Sequence, residues 1–311
     1  MPHVHVIHEN PVWTAPIFEA FQALDLPYRN WDLSEGEFDL SAAPPEGVFY
    51  NRMSASAHTR DHRYAPEYAS AVINWLEAHD RRVINGSRAI QLELSKAAQY
   101  AALNAAGIAT PRTRTTLGRQ ALLRAARSFD GRFITKHNRA GKGLGVHLFE
   151  DVSELEAWLD GSDYEPPVDG IMLVQQYIQA PEPFITRVEF IGGELLYAVR
   201  VDTSSGFQLC PAEACALPGA TQEMFRVIEH FDHPLVKQYR DFLRANRIQI
   251  AGIEFIVDGD GHAYTYDINT NTNYNPEAEA VANVSGAHML ARYLAGEQAR
   301  LRYATGMDAA A

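Results

Sequence analysis

Glu254, Asp267 and Asn269 are the residues whose types and spacing best suit chemistry. They sit in residues 248–275, IQIAGIEFIVDGDGHAYTYDINTNTNYN, which read as a β-hairpin. Residues 251–257 are apolar and β-branched around one acid, Asp258-Gly259-Asp260-Gly261 is turn chemistry, and 262–269 form the return strand. A symmetric two- or four-residue loop sets Glu254 opposite Thr265. Side chains alternate along a strand, so Glu254, Asp267 and Asn269 then share one face, with the two acids as diagonal neighbours roughly 7–8 Å apart. A three-residue loop would shift the register by one and break this arrangement. Two carboxylates and an amide oxygen make a hard oxygen cluster, suited to Mg²⁺ and a polyphosphate. Asn269, Asn271, Asn273 and Asn275 alternate as the chain leaves the strand. Asn favours turns, so these residues suggest ligands or a polar pocket wall, and Asn271 and Asn273 are candidate substrate contacts. The bland alternative is an edge strand with a polar face in water, although such faces usually mix Lys, Thr and Glu.

Cations and glycines come earlier in the chain. Lys96 falls within a helical pattern over 89–106, and Lys136 near the end of a strand over 133–137. Residues 138–146 carry Gly141, Gly143 and Gly145 at alternate positions before a strand at 147–149. Such a loop can present N–H groups to phosphate. It is neither a Walker A loop nor a dinucleotide fingerprint, because no helix follows directly, and a plain hairpin turn is the competing reading. Arg187 and Arg200 lie on a hairpin over 184–202 that turns at Gly192-Gly193; they also read as surface cations. Arg52 follows a short strand over 47–50, at the end where open α/β sheets bind ligands; a surface-loop arginine is the other reading.

The remaining elements follow from periodicity and punctuation. Strands are expected at 3–8, 27–32, 82–86 and 171–178. Helices are expected at 15–24, 68–79, 120–128, 152–159, 221–231, 234–246 and 278–294, with 204–218 irregular and a frayed tail. Alternating strand, helix and strand over 1–90 imply a small α/β domain.

Composition sets outer bounds. The 311 residues are 46% hydrophobic and 21% charged, which suits two or three domains with an ample core. The net charge of −12, with no Lys/Arg cluster, argues against nucleic acid as the main partner. A local positive site for a small anion remains compatible with it. Cys210 and Cys215 fit no common zinc spacing and read as free thiols of a reducing cytoplasm. No signal peptide and no apolar run near about 18 residues is seen, so no membrane association is expected.

Taken in order, these pieces resemble the ATP-grasp superfamily and, within it, the RimK-like glutamate ligases. The matching stretches are LSKAAQYAALNAAGIATPRT, FITKHNRAGKGLGVHLF, LVQQYI, FITRVEFIGGELLYAVR and AGIEFIVDGDGHAYTYDINTN, with NRMSAS preceding them. The likeness spans roughly 47–290. It implies an α/β (α+β) fold of three subdomains, at 1–91, 92–170 and 171–305, with ATP between the last two and 306–311 as a frayed tail. It also implies roles. Lys96 and Lys136 would hold phosphates under the Gly141–Gly145 loop, and Gln176, Tyr177 and Ile178 would meet the adenine. Arg187 and Arg200 would stabilise the transferred phosphoryl group, and Glu254, Asp267 and Asn269 would bind two Mg²⁺, Mn²⁺ being the alternative ion. Two departures stand out. An acid common in the family is Ile185 here, leaving Glu182 for the ribose. Residues 204–211 replace a basic segment near the acceptor, which puts an acidic peptide acceptor in doubt. The implied activity is ATP- and Mg²⁺-dependent ligation of a small carboxylate to an amine through an acylphosphate. A small-polyol kinase and a non-catalytic nucleotide binder are the alternatives, and a homo-oligomer is left open.

Overall fold

The structure, a computed structural model, describes residues 2–141, 143, 145–204 and 225–304. Its strands lie in three sheets. Strands β1 (His3–His8), β2 (Tyr28–Asp32), β3 (Gly47–Asn51) and β4 (Arg82–Ile84) run parallel in the order β2-β1-β3-β4. Parallel neighbours need crossovers. Helix α1 (Pro11–Ala23) joins β1 to β2, and α2 (Ala65–Ala78) joins β3 to β4. α1 starts earlier than periodicity implies because Asn10 caps it, its side chain accepting from the Trp13 N–H, and Pro11 begins it.

The second sheet contains β5 (Thr113–Leu117), β6 (Phe133–His137), β7 (His147–Phe149) and β8 (Ile171–Gln176), antiparallel in the order β5-β8-β6-β7. The sequence pattern hides β5, since Thr-Arg-Thr-Thr-Leu shows no apolar alternation; among the described residues it is an edge strand that pairs only with β8. β8 corrects an expected boundary. The expected division puts it at the head of the third subdomain, yet it sits between β5 and β6.

The third sheet is antiparallel, in the order β11-β10-β9-β12-β13. It comprises β9 (Phe184–Ile191), β10 (Glu194–Asp202), β11 (Phe225–Ile228), β12 (Ile250–Val257) and β13 (Ala263–Asn269). The helix expected at 221–231 is, where described, this β11, whose Val227-Ile228 suits a strand against β10. One face of the sheet buries Val188, Phe190, Ile253, Phe255 and Ile268. Packed on that face are α3 (Ser87–Glu93), α4 (Lys96–Ala105) and the helix we number α7 (Pro234–Ala245). α5 (Arg119–Ala126) and α6 (Val152–Asp160) cover the second sheet.

Two expected single helices are each split. The one over 89–106 becomes α3 and α4, because Ser95 turns out of the helix and its Oγ accepts from the Ala98 N–H at 3.2 Å. The one over 278–294 becomes α8 (Pro276–Ala282) and α9 (Gly286–Ala304), with left-handed Asn283 between them. Leu290, Ala291 and Leu294 of α9 pack with Val4, Phe21 and Val48 and also with Ile191 and Ile250, so the last helix returns to the first sheet while still touching the third. Among the described residues no helix is long and apolar enough to cross a membrane. Cys210, Cys215, Lys142, most of 204–211 and the tail at 306–311 lie outside the described residues.

Candidate functional site

A cleft of about 530 Å³ opens between the second and third sheets, bordered by Trp13 of α1 and by Ser54 and Ser56 after β3. That is within the usual range for small-molecule sites, roughly 300–1,000 Å³. The hairpin at its floor has a different register from the one expected. Glu254 lies opposite Asp267, not Thr265. Val257 pairs with Ala263, so the loop spans five residues, an odd number, which by itself would set Glu254 opposite Tyr266. A β-bulge then inserts one extra residue on β13, and Glu254 meets Asp267 directly. Glu254, Asp267 and Asn269 therefore share the cleft face, with the acids as direct cross-strand partners.

Cations surround the acids. The Lys96 ammonium, at the first position of α4, contacts Asp267 Oδ1. The start of α4 is fixed from the glycine loop: Asn138 Oδ1 accepts from the Ala97 N–H at 2.9 Å and the Ser95 hydroxyl at 3.1 Å. Arg187 donates from Nη1 to Glu254 Oε1 at 2.7 Å, from Nε to Glu189 Oε1 at 2.5 Å, and from Nη2 to the Thr272 hydroxyl. Thr272 in turn donates to Glu189 Oε2 at 2.8 Å. Burial pushes the Asp267 carboxyl up, but Lys96 and Lys136 outweigh it and hold the group below its ordinary range. Burial raises Glu254, and Arg187 only partly offsets this. Lys136 is lowered to about 7, first by burial and then by Lys96. Its Nζ lies 3.4 Å from the Tyr266 carbonyl and over the ring of Tyr100. Lys136 also lines the cleft.

The other expected residues divide into two sets. Gln176, Tyr177, Ile178 and Glu182 line the end of the cleft beyond β8, and Gly141 and Gly143 line its roof. Gly145 takes φ +69°, and a Cβ there would lie 2.6 Å from the His137 ring, so this turn requires glycine. Asn271 and Asn273 line the opposite end. Arg200 does not join them. It pairs with Thr186 across β9–β10, whereas Arg187 pairs with Val199, so the two arginines project from opposite faces of the sheet. Arg200 is exposed and ion-paired to Glu182 at 2.7 Å. Arg52 is buried, and its guanidinium is taken up by the Thr272 carbonyl at 3.1 Å and Asn273 Oδ1 at 2.8 Å. It holds the asparagine segment from behind.

Sequence reasoning missed Glu93, Trp13, Ser54 and Ser56, which line the cleft, and Glu189, which grips Arg187. Glu189 was within reach of it, since a residue two positions from Arg187 on a strand must share its face. Glu93, an ordinary acid on a helix, carried no such signal.

No protein-family model matches the sequence, and no curated protein matches it. Solved structures do. A RimK domain ATP-grasp protein from Sphaerobacter thermophilus aligns over 94% of this chain and 98% of its own, at 18% identity and a TM-score of 0.66. The chain has the ATP-grasp fold. D-alanyl-alanine synthetase A from Vibrio cholerae aligns over 95% of this chain and 98% of its own, at 12% identity and a TM-score of 0.66. The ATP-grasp ligase PsnB, in a complex with a precursor variant, Mg and ADP, aligns over 95% and 98%, at 17% identity and a TM-score of 0.63.

Proposed function

We propose that this chain is an ATP- and Mg²⁺-dependent ligase that joins a small carboxylate, such as an amino acid, to an amine and releases ADP and phosphate. One observation carries the reading: Glu254, Asp267 and Asn269 share a face, within one cleft that also holds Lys96, Lys136 and Arg187. The first three offer only hard oxygen donors, the set Mg²⁺ takes. They would hold one or two such ions, with Mn²⁺ as the alternative, and the metal would supply charge neutralisation at the phosphates. The protein's own groups do the rest. Lys96 and Lys136 neutralise the triphosphate from two sides, and the segment from Gln176 to Ile178 receives the adenine. Glu182, at that same end, accepts from the ribose. Gly141, Gly143 and Gly145 offer their N–H groups to the phosphates.

The substrate carboxylate attacks the γ-phosphorus and ADP leaves. Arg187 faces the charge that builds on the transferred group, a reaction governed by positioning and charge rather than covalent help. Glu189 and Thr272 fix the angle of Arg187. The amine then attacks the acyl carbon, phosphate departs, and the nitrogen sheds its proton. Arg200 reaches neither phosphate nor carboxylate in this scheme and touches it only through its exposed ion pair with Glu182, and Arg52 acts through Asn273. The structural relatives named as ligases support the reading by analogy of fold, and small-molecule substrates suit the cleft's size.

The test is ADP and phosphate release measured across a matrix of amino acids and dicarboxylates with amines. Equal ADP and free phosphate, together with a hydroxamate when hydroxylamine replaces the amine, is the expected result. Phosphate retained on an alcohol, with no hydroxamate, would make the protein a small-molecule kinase instead.

A further inference from the structure

Beyond Asn269 the cleft continues along the asparagine segment toward Trp13 and Ser54. Glu93, at the end of α3, stands on this wall and ties two segments together. Its Oε2 accepts from the Thr270 N–H at 2.8 Å, the Thr270 hydroxyl at 3.0 Å and the Asn271 N–H at 3.4 Å. Its Oε1 accepts from the Ala55 N–H at 3.3 Å. A carboxylate has about four acceptor positions, two on each oxygen, so the crowding on Oε2 leaves Oε1 with capacity to spare.

A second oxygen points the same way. The Asn271 side-chain carbonyl is buried without a hydrogen-bond partner among the described residues, in a residue that is 9% exposed and lines the same cleft. Buried amide oxygens are seldom left unpaired, and an exception calls for a bound water or a ligand donor. Both oxygens are acceptors, and one is anionic. Burial also raises the Glu93 carboxyl, against the hydrogen bonds from Thr270 and Ala55, so the site gains from a cationic guest. A substrate carboxylate placed here would face a like charge, while its natural partners, Lys96, Lys136 and Arg187, are grouped around the metal carboxylates.

We propose that Glu93 and Asn271 form the subsite that receives the ammonium group of the nitrogen nucleophile. The inference rests on the ligase reading above and adds the chemical class of the second substrate: an amine that is protonated at neutral pH. An ammonium carries three donors. Two satisfy Oε1 of Glu93 and Oδ1 of Asn271, which orients the nitrogen beside the end of the hairpin where the acyl group forms; the ammonium then gives one proton to solvent, and the freed lone pair attacks.

The experiment compares ammonium chloride and methylamine, both protonated at pH 7.5, with hydroxylamine, which is neutral there. The readout is the ratio of kcat/KM for a protonated amine to kcat/KM for hydroxylamine. Glu93→Gln keeps an oxygen for Thr270 but loses the charge, and the ratio should fall about 10–100-fold, as expected for the loss of a charge-assisted hydrogen bond. The KM for ATP should move far less. Asn271→Leu keeps the side-chain volume without the acceptor and should lower the ratio in the same direction, so the proposal stays testable if one variant fails to fold. An unchanged ratio, with both nucleophiles losing equally, makes Glu93 a strut and overturns the subsite. A wild-type protein that makes hydroxamate but accepts neither protonated amine also overturns it. A wild-type protein that makes no hydroxamate and no amide from any carboxylate defeats the ligase reading itself.

Discussion

Gly252 should be indispensable to Arg187 although it touches no substrate in the proposed scheme. It sits on β12 opposite Glu189 of β9 and Asn269 of β13, on the face that carries Glu254. The Arg187 side chain lies flat across this point to reach Glu254 on one side and Glu189 on the other. A Cβ at 252 would be 2.6 Å from Nη2 and 2.9 Å from Cζ and Nε. Ordinary contact begins at 3.4 Å, so the guanidinium must retreat by 3.4 − 2.6 = 0.8 Å. Gly252 is not among the positive-φ residues, so an alanine backbone fits and the strain falls on Arg187 alone. Overpacking of this kind costs about 1–3 kcal/mol, against about 0.5–1 kcal/mol recovered by removing a glycine from a strand. Gly252→Ala should therefore unfold in urea at a midpoint lowered by no more than about 2.5 kcal/mol in equivalent stability. A misplacement of this size at a reacting centre costs about 100-fold in rate. The assay is carboxylate- and amine-dependent ADP release in a cycle with Arg187→Met. If Gly252 acts through Arg187, adding Gly252→Ala to Arg187→Met should change the rate by less than about threefold, since coupled sites are not additive. Full activity in the folded single variant, or additive losses in the double, would refute the reasoning.

Three other perturbations follow from the same geometry. Asp267→Asn should nearly abolish turnover while the folded circular dichroism spectrum persists, since it removes a charged oxygen from the metal set; near-normal turnover would remove Asp267 from that set. Lys136→Ala should weaken ATP binding about 10–100-fold by calorimetry. Lys136 is lowered to about 7 in the free protein, first by burial, and phosphate raises it, so wild-type binding above pH 7 takes up a proton and affinity should fall from pH 7 to 9. A wild-type affinity flat across that window, or one that varies equally in Lys136→Ala, would contradict this assignment. Arg200→Gln should keep kcat/KM within about twofold, because Arg200 is on the far face and exposed; a tenfold loss would return it to the site.

What could be read in advance depended on whether a signal was local. Strand-face membership follows from period two, so the grouping of Glu254, Asp267 and Asn269 was legible, and Lys96 and Lys136 were recognisable through their order around the glycine loop. Arg200 shows the limit of reading residues singly. Its face depends on the cross-strand pairing with Thr186, which the Gly192-Gly193 turn and an irregularity between Leu195 and Tyr197 decide together. The cap at Ser95 has a local signature, but apolar residues continue at helical spacing on both sides and mask it. Strand β5 had none, since its place is defined by β8, 54 residues further on by the pairing of Leu117 with Ile171. The unexpected Glu93 contact belongs to this class too: it joins α3 to Thr270, 177 residues away.

The hairpin shows why two local errors can cancel. An odd loop alone would turn Tyr266 toward Glu254 and bring Asp267 opposite Ile253, on the face that packs against Phe242 and Tyr239. A carboxylate forced there would lose its cationic neighbours and be desolvated without compensation. The core prevents it. Thr265 is fully buried with its hydroxyl 2.6 Å from that of Tyr239, and Ile268 is buried on the same side. Those residues are three apart, an odd separation, and strict alternation would send one of them to the cleft. Both reach the core only if one extra residue is accommodated between them, and the register shift between Glu254 and Phe255 is that accommodation. Apolar packing thus selects the bulge, and the bulge delivers Asp267 to Glu254. The chemistry at the floor of the cleft is set by the side of the sheet that faces away from it.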